Sequence, residues 1–147
     1  MCGRYWIDDG RDSVELAEII GQVNRRPVTG PVKTVGEVFP TDVVPVVASS
    51  KRLHPEAFAM RWGFALPDGK RIINARSETA DQRPLFRDGM RQRRCAGPAT
   101  RYFEWERAAG ARTNYAIWPE RGGMFYFAGL YRITADGPEF VILTRPP

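Results

Sequence analysis

Hydrophobic and polar positions along this chain follow two periods, and the points where one gives way to the other divide it into elements. From Asp12 to Val23, Leu16, Ile19, Ile20 and Val23 fall on one face of a 3.6-residue repeat, with Asp12 and Glu15 at capping-box spacing, which predicts an amphipathic helix. From Ala57 to Ala65, Phe58, Met60, Trp62 and Phe64 recur at every second position, the period of a strand with one buried face. Pro67-Asp68-Gly69-Lys70 then reads as a turn joining Trp62–Phe64 to Arg71–Ala75 as a hairpin-like pair. Cys2–Ile7 is strand-like, Asn24 to Gly36 reads as loop, and Asp42–Ala48 as a strand that Pro45 moves towards a sheet edge. Ser77 caps a short helix through Gln82, and Pro84–Arg91 forms a further helical turn or two. Cys95–Trp105, Asn114–Trp118, Gly123–Thr134 and Glu139–Thr144 carry the aromatic and β-branched residues of strands, separated by Ala109-Gly110, Gly122-Gly123 and Asp136-Gly137. The pattern predicts an α+β fold, mainly antiparallel β with a few peripheral helices, whose sheet curls into a barrel-like core.

Length and composition narrow this further. At 147 residues and 43% hydrophobic, the chain suits a single domain spanning 1–147. It has no apolar run of membrane-spanning length and no signal-peptide pattern, so the expectation is a soluble, cytoplasmic protein with no membrane partner. Two cysteines, Cys2 and Cys95, and one histidine, His54, offer no metal-ligand spacing, and neither a metal nor a cofactor is expected. A Cys2–Cys95 disulfide is a possibility that a cytosolic chain of this size does not need. The net charge of +5 suits a polyanionic partner, and Arg87, Arg91, Arg93 and Arg94 crowd one segment near Phe86 and Tyr102. That cluster reads equally well as a nucleic-acid contact or as a solvated helix face.

Candidate chemistry begins at the N-terminus. A cysteine directly after the initiator methionine becomes N-terminal once the methionine is trimmed, and then carries a thiol and an α-amine on one carbon frame. Such a 1,2-aminothiol attacks an aldehyde through its amine and closes a thiazolidine ring through its sulfur; the alternative reading of Cys2 is a small buried residue of an N-terminal strand. Glu104, between Phe103 and Trp105, is a carboxylate in an aromatic strand; it is suited to proton transfer or to a salt bridge with one of the many arginines. Asn74-Ala75-Arg76-Ser77-Glu78-Thr79 sits at a strand-to-helix junction, where Arg76 and backbone N–H groups can hold phosphate and Asn74 can reach a base or sugar oxygen. Ordinary capping by Ser77, with Arg76 paired to Glu78, accounts for the same residues. In Arg61-Trp62-Gly63-Phe64, Trp62 is either a stacking platform for an exposed base or a core residue.

Taken in order, Cys2-Gly3-Arg4-Tyr5, Pro40-Thr41, Val44-Pro45-Val46-Val47, Trp62-Gly63-Phe64, Asn74-Ala75-Arg76-Ser77-Glu78-Thr79, Phe86-Arg87, Arg93-Arg94-Cys95, Pro98-Ala99, Phe103-Glu104-Trp105, Phe127-Ala128-Gly129-Leu130 and Val141-Ile142-Leu143-Thr144 form a series. It resembles the SOS response-associated peptidase (SRAP) family, the abasic-site processing proteins. The resemblance implies the barrel-like SRAP fold, self-removal of Met1, and a thiazolidine crosslink from Cys2 to the ring-opened aldehyde of an abasic site in single-stranded DNA. It implies that Cys2 is the nucleophile, that Glu104 assists methionine removal and proton transfer, and that Asn74 lies beside Cys2. Arg76 would hold DNA phosphate, Arg4, Arg87, Arg91 and Arg94 would extend the phosphate track, and Trp62 and Phe64 would lie beside the DNA. The expected enzyme is thus a self-processing peptidase with abasic-site crosslinking and lyase activity, acting in the DNA damage response as a monomer.

Some positions depart from the family. Relatives continue past the match to Val141–Thr144 into a segment carrying His-x-Arg-Met-Pro, whose histidine is implicated in opening the sugar and reversing the crosslink; here the chain stops at Arg145-Pro146-Pro147. His54 does not match that histidine. The departure implies an expected C-terminal truncation relative to the family, an exposed apolar edge near Phe140–Leu143, and an alternative function as a catalytically incomplete single-stranded DNA-binding remnant. Thr100-Arg101 stands where relatives commonly have a glycine before the aromatic pair, and Glu37 places a negative charge where DNA-facing polarity is expected.

Overall fold

Five strands of this protein close on one another around an aromatic core. The computed structural model describes residues 2–146. In chain order the elements are β1 (Tyr5–Ile7), α1 (Val14–Asn24), β2 (Gly36–Val38), β3 (Val43–Ser49), β4 (Pro55–Trp62), β5 (Phe64–Ala65), β6 (Arg71–Ile72), β7 (Asn74–Arg76), α2 (Pro84–Gln92), β8 (Arg94–Ala99), β9 (Arg101–Ala108), β10 (Ala111–Ile117), β11 (Phe125–Thr134) and β12 (Gly137–Thr144). The larger sheet runs β11-β8-β3-β4-β12-β7, and β11 pairs with β12 so that the first five of these strands complete a barrel. Its pairs are antiparallel except where β12 lies parallel to β4 and then to β7. A second sheet, β10-β9-β1-β2, stands beside it.

The alternating pattern at Phe58–Phe64 does produce a strand, but the strand breaks at Gly63, whose φ of +109° suits a residue without Cβ. There the backbone turns outward, β5 pairs with β6 through Phe64↔Ile72 and Ala65↔Arg71, and the chain returns as β7. β12 therefore runs beside β4 at Glu139 and Phe140 and beside β7 from Ile142 to Thr144. With β11 on its other flank as far as Ile142, β12 has no open edge up to that residue, and Phe140, Val141 and Ile142 are buried; the expected exposed apolar edge is absent there.

The core explains the other departures. Tyr5, Val44, Val46, Met60, Trp62, Phe140 and Ile142 fill one cluster, in which the Tyr5 ring lies 5.2 Å from Trp62 and 5.3 Å from Phe127. Phe64, Phe86, Leu130 and Val141 form a second, under α2. α1 buries Leu16, Ile19 and Val23 as its periodicity requires, but its N-cap is Ser13, whose hydroxyl accepts from Leu16 N at 3.1 Å, rather than Asp12. Pro45 lies in an interior strand; β8 pairs only with Val47 and Ala48, so no ladder bond to β8 is asked of the proline. Ser77–Gln82 is a run of turns instead of a helix, because Arg83 precedes Pro84 and takes an extended conformation. The run Cys95–Trp105 splits at Thr100 into strands of different sheets. The buried Thr100 hydroxyl donates to Trp6 O and accepts from Asp8 N, both at 3.2 Å, which fixes this crossing point without a glycine.

Candidate active site

Cys2 precedes β1 and is 4% exposed, packed against the aromatic cluster. Its thiol donates to Arg4 O at 3.4 Å. Burial pushes the thiol up to about 11, and the negative charge of Glu104 acts in the same direction. The resting cysteine is therefore a protonated thiol at neutral pH. Beneath it, burial raises the Tyr5 phenol well above its usual range, and the Tyr5 hydroxyl has no hydrogen-bond partner among the described residues.

Asn74 reaches this corner because β7 is laid against β12, with Ile142 opposite Asn74. Its Nδ2 donates to the Cys2 carbonyl at 3.1 Å, while its Oδ1 is buried without a partner among the described residues. A buried amide oxygen left unpaired is costly unless a donor is meant to arrive there. Glu104 lies in β9 opposite Tyr115 of β10, half-buried, on the strand face that it shares with Tyr102. Since Tyr102 is registered with the buried Tyr5, that face looks towards the Cys2 corner. The structure thus brings Cys2, Asn74 and Glu104, which lie far apart in the chain, to one place.

A cleft of about 480 Å³ opens beside Asn74, lined also by Arg76, Thr79, Arg83, Leu85, Phe86 and Thr144. Arg76 is exposed at the end of β7, in register with Thr144, and makes no ion pair among the described residues, so it is not held by Glu78. Arg83 was not among the residues expected from sequence. The Arg83-Pro84 step, a residue held extended before a helix-starting proline, is the local signal that points it at the cleft.

Other expected residues stand elsewhere. Trp62 and Phe64 are 0% and 2% exposed: Trp62 packs between Tyr5 and Phe140 and donates its Nε1 to Ile73 O at 3.1 Å, and Phe64 packs on Phe86. Neither presents a ring to DNA, and the expectation that they flank it is corrected. Arg4 is held between Glu37, at 2.9 Å from its Nε, and the Phe103 ring, 4.4 Å from its Cζ. Glu37, the unexpected negative charge of β2, is therefore the partner of Arg4. Arg87, Arg91 and Arg94 are exposed; Arg87 follows the cleft-lining turn of α2, whereas Arg91 and Arg94 lie at the other end of that helix, with Arg94 Nε on Met90 O at 2.8 Å. His54 is exposed beside the Ser50–Leu53 turn. Cys95 is buried, its thiol pushed up to about 12, and both cysteines are free. Among the described residues no group of His, Cys, Asp and Glu side chains could hold a metal ion, and no helix is long and apolar enough to cross a membrane.

Comparison with known proteins bears on this arrangement. The chain is 35% identical over 145 residues to the abasic site processing protein YoaM of Bacillus subtilis, a match covering 89% of this chain and 59% of YoaM. It is likewise 35% identical over 100 residues to the abasic site processing protein YoqW of Bacillus phage SPbeta, covering 59% of this chain and 45% of YoqW. The chain thus spans about three fifths or less of these relatives' lengths. A crystal structure of a protein from Bordetella bronchiseptica shares the fold, with a TM-score of 0.73 over 99% of this chain and 73% of that one at 22% identity. A Bacteroides thetaiotaomicron protein superposes with a TM-score of 0.61 at 26% identity, over 75% of this chain and 53% of that one. The family model described as SOS response associated peptidase matches residues 1–147, and the chain belongs to the SRAP family.

Proposed function

We propose that this protein processes abasic sites in single-stranded DNA by covalent capture at Cys2, and that Cys2 first becomes N-terminal by self-removal of Met1. The observation that carries the reading is the pair of contacts offered by Asn74: Nδ2 holds the Cys2 carbonyl at 3.1 Å, and Oδ1 is a buried acceptor with no donor among the described residues. Removal of Met1 adds water across the Met1–Cys2 peptide bond and frees an amine on Cys2, a donor of the kind that Oδ1 lacks. The names of YoaM and YoqW, abasic site processing proteins, suggest the class of aldehyde.

The chemistry follows from groups at the corner. The amine lone pair attacks the aldehyde carbon and gives a carbinolamine, which loses water to form an imine. The thiol then adds to the imine carbon; a C–S bond forms, the thiol proton passes to nitrogen, and a thiazolidine results with one water released overall. A thiol held protonated near neutral pH needs a base at this step, and Glu104, whose charge the thiol senses, is the group that takes the proton and returns it. The same carboxylate activates water for Met1 removal. Arg76 and Arg83, on the adjoining cleft, hold the flanking phosphates. The protein works as a monomer in this scheme, since every residue invoked comes from one chain.

Incubating the Met1-processed protein with abasic single-stranded DNA should give an adduct that survives denaturing electrophoresis. Cys2→Ala should give none, and Glu104→Gln should retain binding but slow adduct formation. Equal adduct in Cys2→Ala would sink the proposal.

A further inference from the structure

The outer face of the β10-β9-β1-β2 sheet carries a row of stacked arginine–aromatic pairs apart from the Cys2 corner. Arg101 Cζ lies 5.1 Å from the Trp6 ring centroid, Arg4 Cζ 4.4 Å from Phe103, and Arg112 Cζ 4.1 Å from Trp105. Directly opposed residues of an antiparallel ladder share a face. The register therefore puts Phe103, Trp105 and Arg107 on one side of the β9–β10 ribbon with Ala116, Asn114 and Arg112, and Tyr102, Glu104 and Glu106 on the other with Ile117, Tyr115 and Thr113. Both acids of the ribbon thus look one way, and Arg107 and Arg112 look the other. Arg4 and Arg101 have acid partners in Glu37 and Asp8, whereas among the described residues Arg107 and Arg112 have no ion pair. Trp105 stays 48% exposed even with Arg112 stacked on it, and all of β10 is exposed.

We propose that this face binds single-stranded nucleic acid, with Trp105 and Phe103 stacking unpaired bases and Arg107 and Arg112 contacting phosphate. Interleaved aromatic rings and unpaired guanidiniums match a polyanion whose charges alternate with flat apolar groups. An acidic peptide would engage the arginines and leave the rings unused. The strip begins at Arg4, two residues from Cys2, and follows the eight residues of β9, roughly 23 Å at 3.3 Å per step, to the Ala109-Gly110 turn. It deepens the proposed function by giving a path to the strand whose abasic site meets Cys2, but it concerns binding alone.

The test is fluorescence anisotropy of a labelled, undamaged single strand against the full chain over a salt series. Trp105→Ala should weaken binding roughly tenfold, the loss of one base stack, and Trp105→Phe should restore most of it. Arg107→Glu with Arg112→Glu should flatten the slope of log affinity on log salt by about 1.4, or about 0.7 per phosphate contact. The duplex of the same sequence should bind more weakly and be indifferent to Trp105. Unchanged affinity and slope in these variants would overturn the proposal, as would a loss seen only in Arg87→Glu with Arg91→Glu, or a loss of binding to polyglutamate without a loss for DNA. Because an undamaged strand needs no covalent step, this result and the Cys2 adduct assay can fail independently.

Discussion

Replacing Asn74 by alanine separates a residue kept for chemistry from one kept for stability. The substitution deletes the 3.1 Å bond from Nδ2 and leaves the buried Cys2 carbonyl without that donor, at a cost of about 1–3 kcal/mol. It also removes Oδ1, a buried acceptor without a partner among the described residues, whose desolvation costs about 1–3 kcal/mol. The two terms oppose each other, so Asn74→Ala should change stability by less than about 1 kcal/mol, or about 3 °C in Tm for a chain of this length. Adduct formation should nonetheless slow by about tenfold or more, since a freed Cys2 amine would lose its acceptor and its carbonyl would lose its anchor; tenfold corresponds to about 1.4 kcal/mol of barrier. Asn74→Asp keeps an acceptor but sets a carboxylate against the Cys2 carbonyl, and should be the less stable of the two variants. Calorimetry and a single-turnover adduct time course read the two effects separately. A stability loss above about 3 kcal/mol in Asn74→Ala, or an unchanged adduct rate, would refute the reasoning.

Three further outcomes follow. Glu139 is buried between Arg71, at 3.0 Å, and Arg132, at 2.9 Å, so Glu139→Ala leaves two guanidiniums uncompensated and should cost about 2–4 kcal/mol in urea unfolding, less than a fully buried pair because both arginines are about one quarter exposed. Gly63→Ala should destabilise by about 2 kcal/mol or more by the same measurement, because φ is +109° and a Cβ would meet Arg71 Cγ at 2.4 Å. Cys2 and Cys95 are raised in the fold from 9.0 to about 11 and about 12, so the folded state keeps protons that the unfolded chain has released; stability should fall as pH rises above about 9, and Cys2→Ala should make that fall shallower between about 9 and 11 in pH-dependent denaturation.

What the sequence makes legible depends on whether the signal is local. The Leu16, Ile19, Val23 stripe and the Phe58–Trp62 alternation carry their own period and form the helix and strand they predict, because burying one face is decided within the segment; the break at Gly63 is not in that period. The Pro67–Lys70 turn was equally local, and Leu66 N reaches Lys70 O at 2.8 Å. Cys2, Asn74 and Glu104 could be named from their motifs, but their meeting depends on β7 lying against β12 and β9 against β1, pairings that no local pattern encodes. Trp62 shows the opposite failure: a large ring on an alternating strand has the same pattern whether it faces core or ligand, and only its packing on Tyr5 and Phe140 decides. Pro45 looked like an edge signal because the partner strand's extent, which makes the proline harmless, is set some 50 residues away in β8. The segregation of Arg107 and Arg112 from Glu104 and Glu106 needed the hairpin register, which a single-residue slip would reverse.

The central claim is that both the nitrogen and the sulfur of Cys2 bond to one carbon of an abasic sugar. Nuclease and protease digestion of the adduct, followed by tandem mass spectrometry of the N-terminal peptide, tests it most directly. The digest should contain a peptide beginning at Cys2 that carries the sugar remnant, with its thiol closed to alkylation and its amine closed to acylation, and with no change on borohydride treatment. A remnant on any other residue, or a Cys2 whose thiol still alkylates while the amine is blocked, would contradict it.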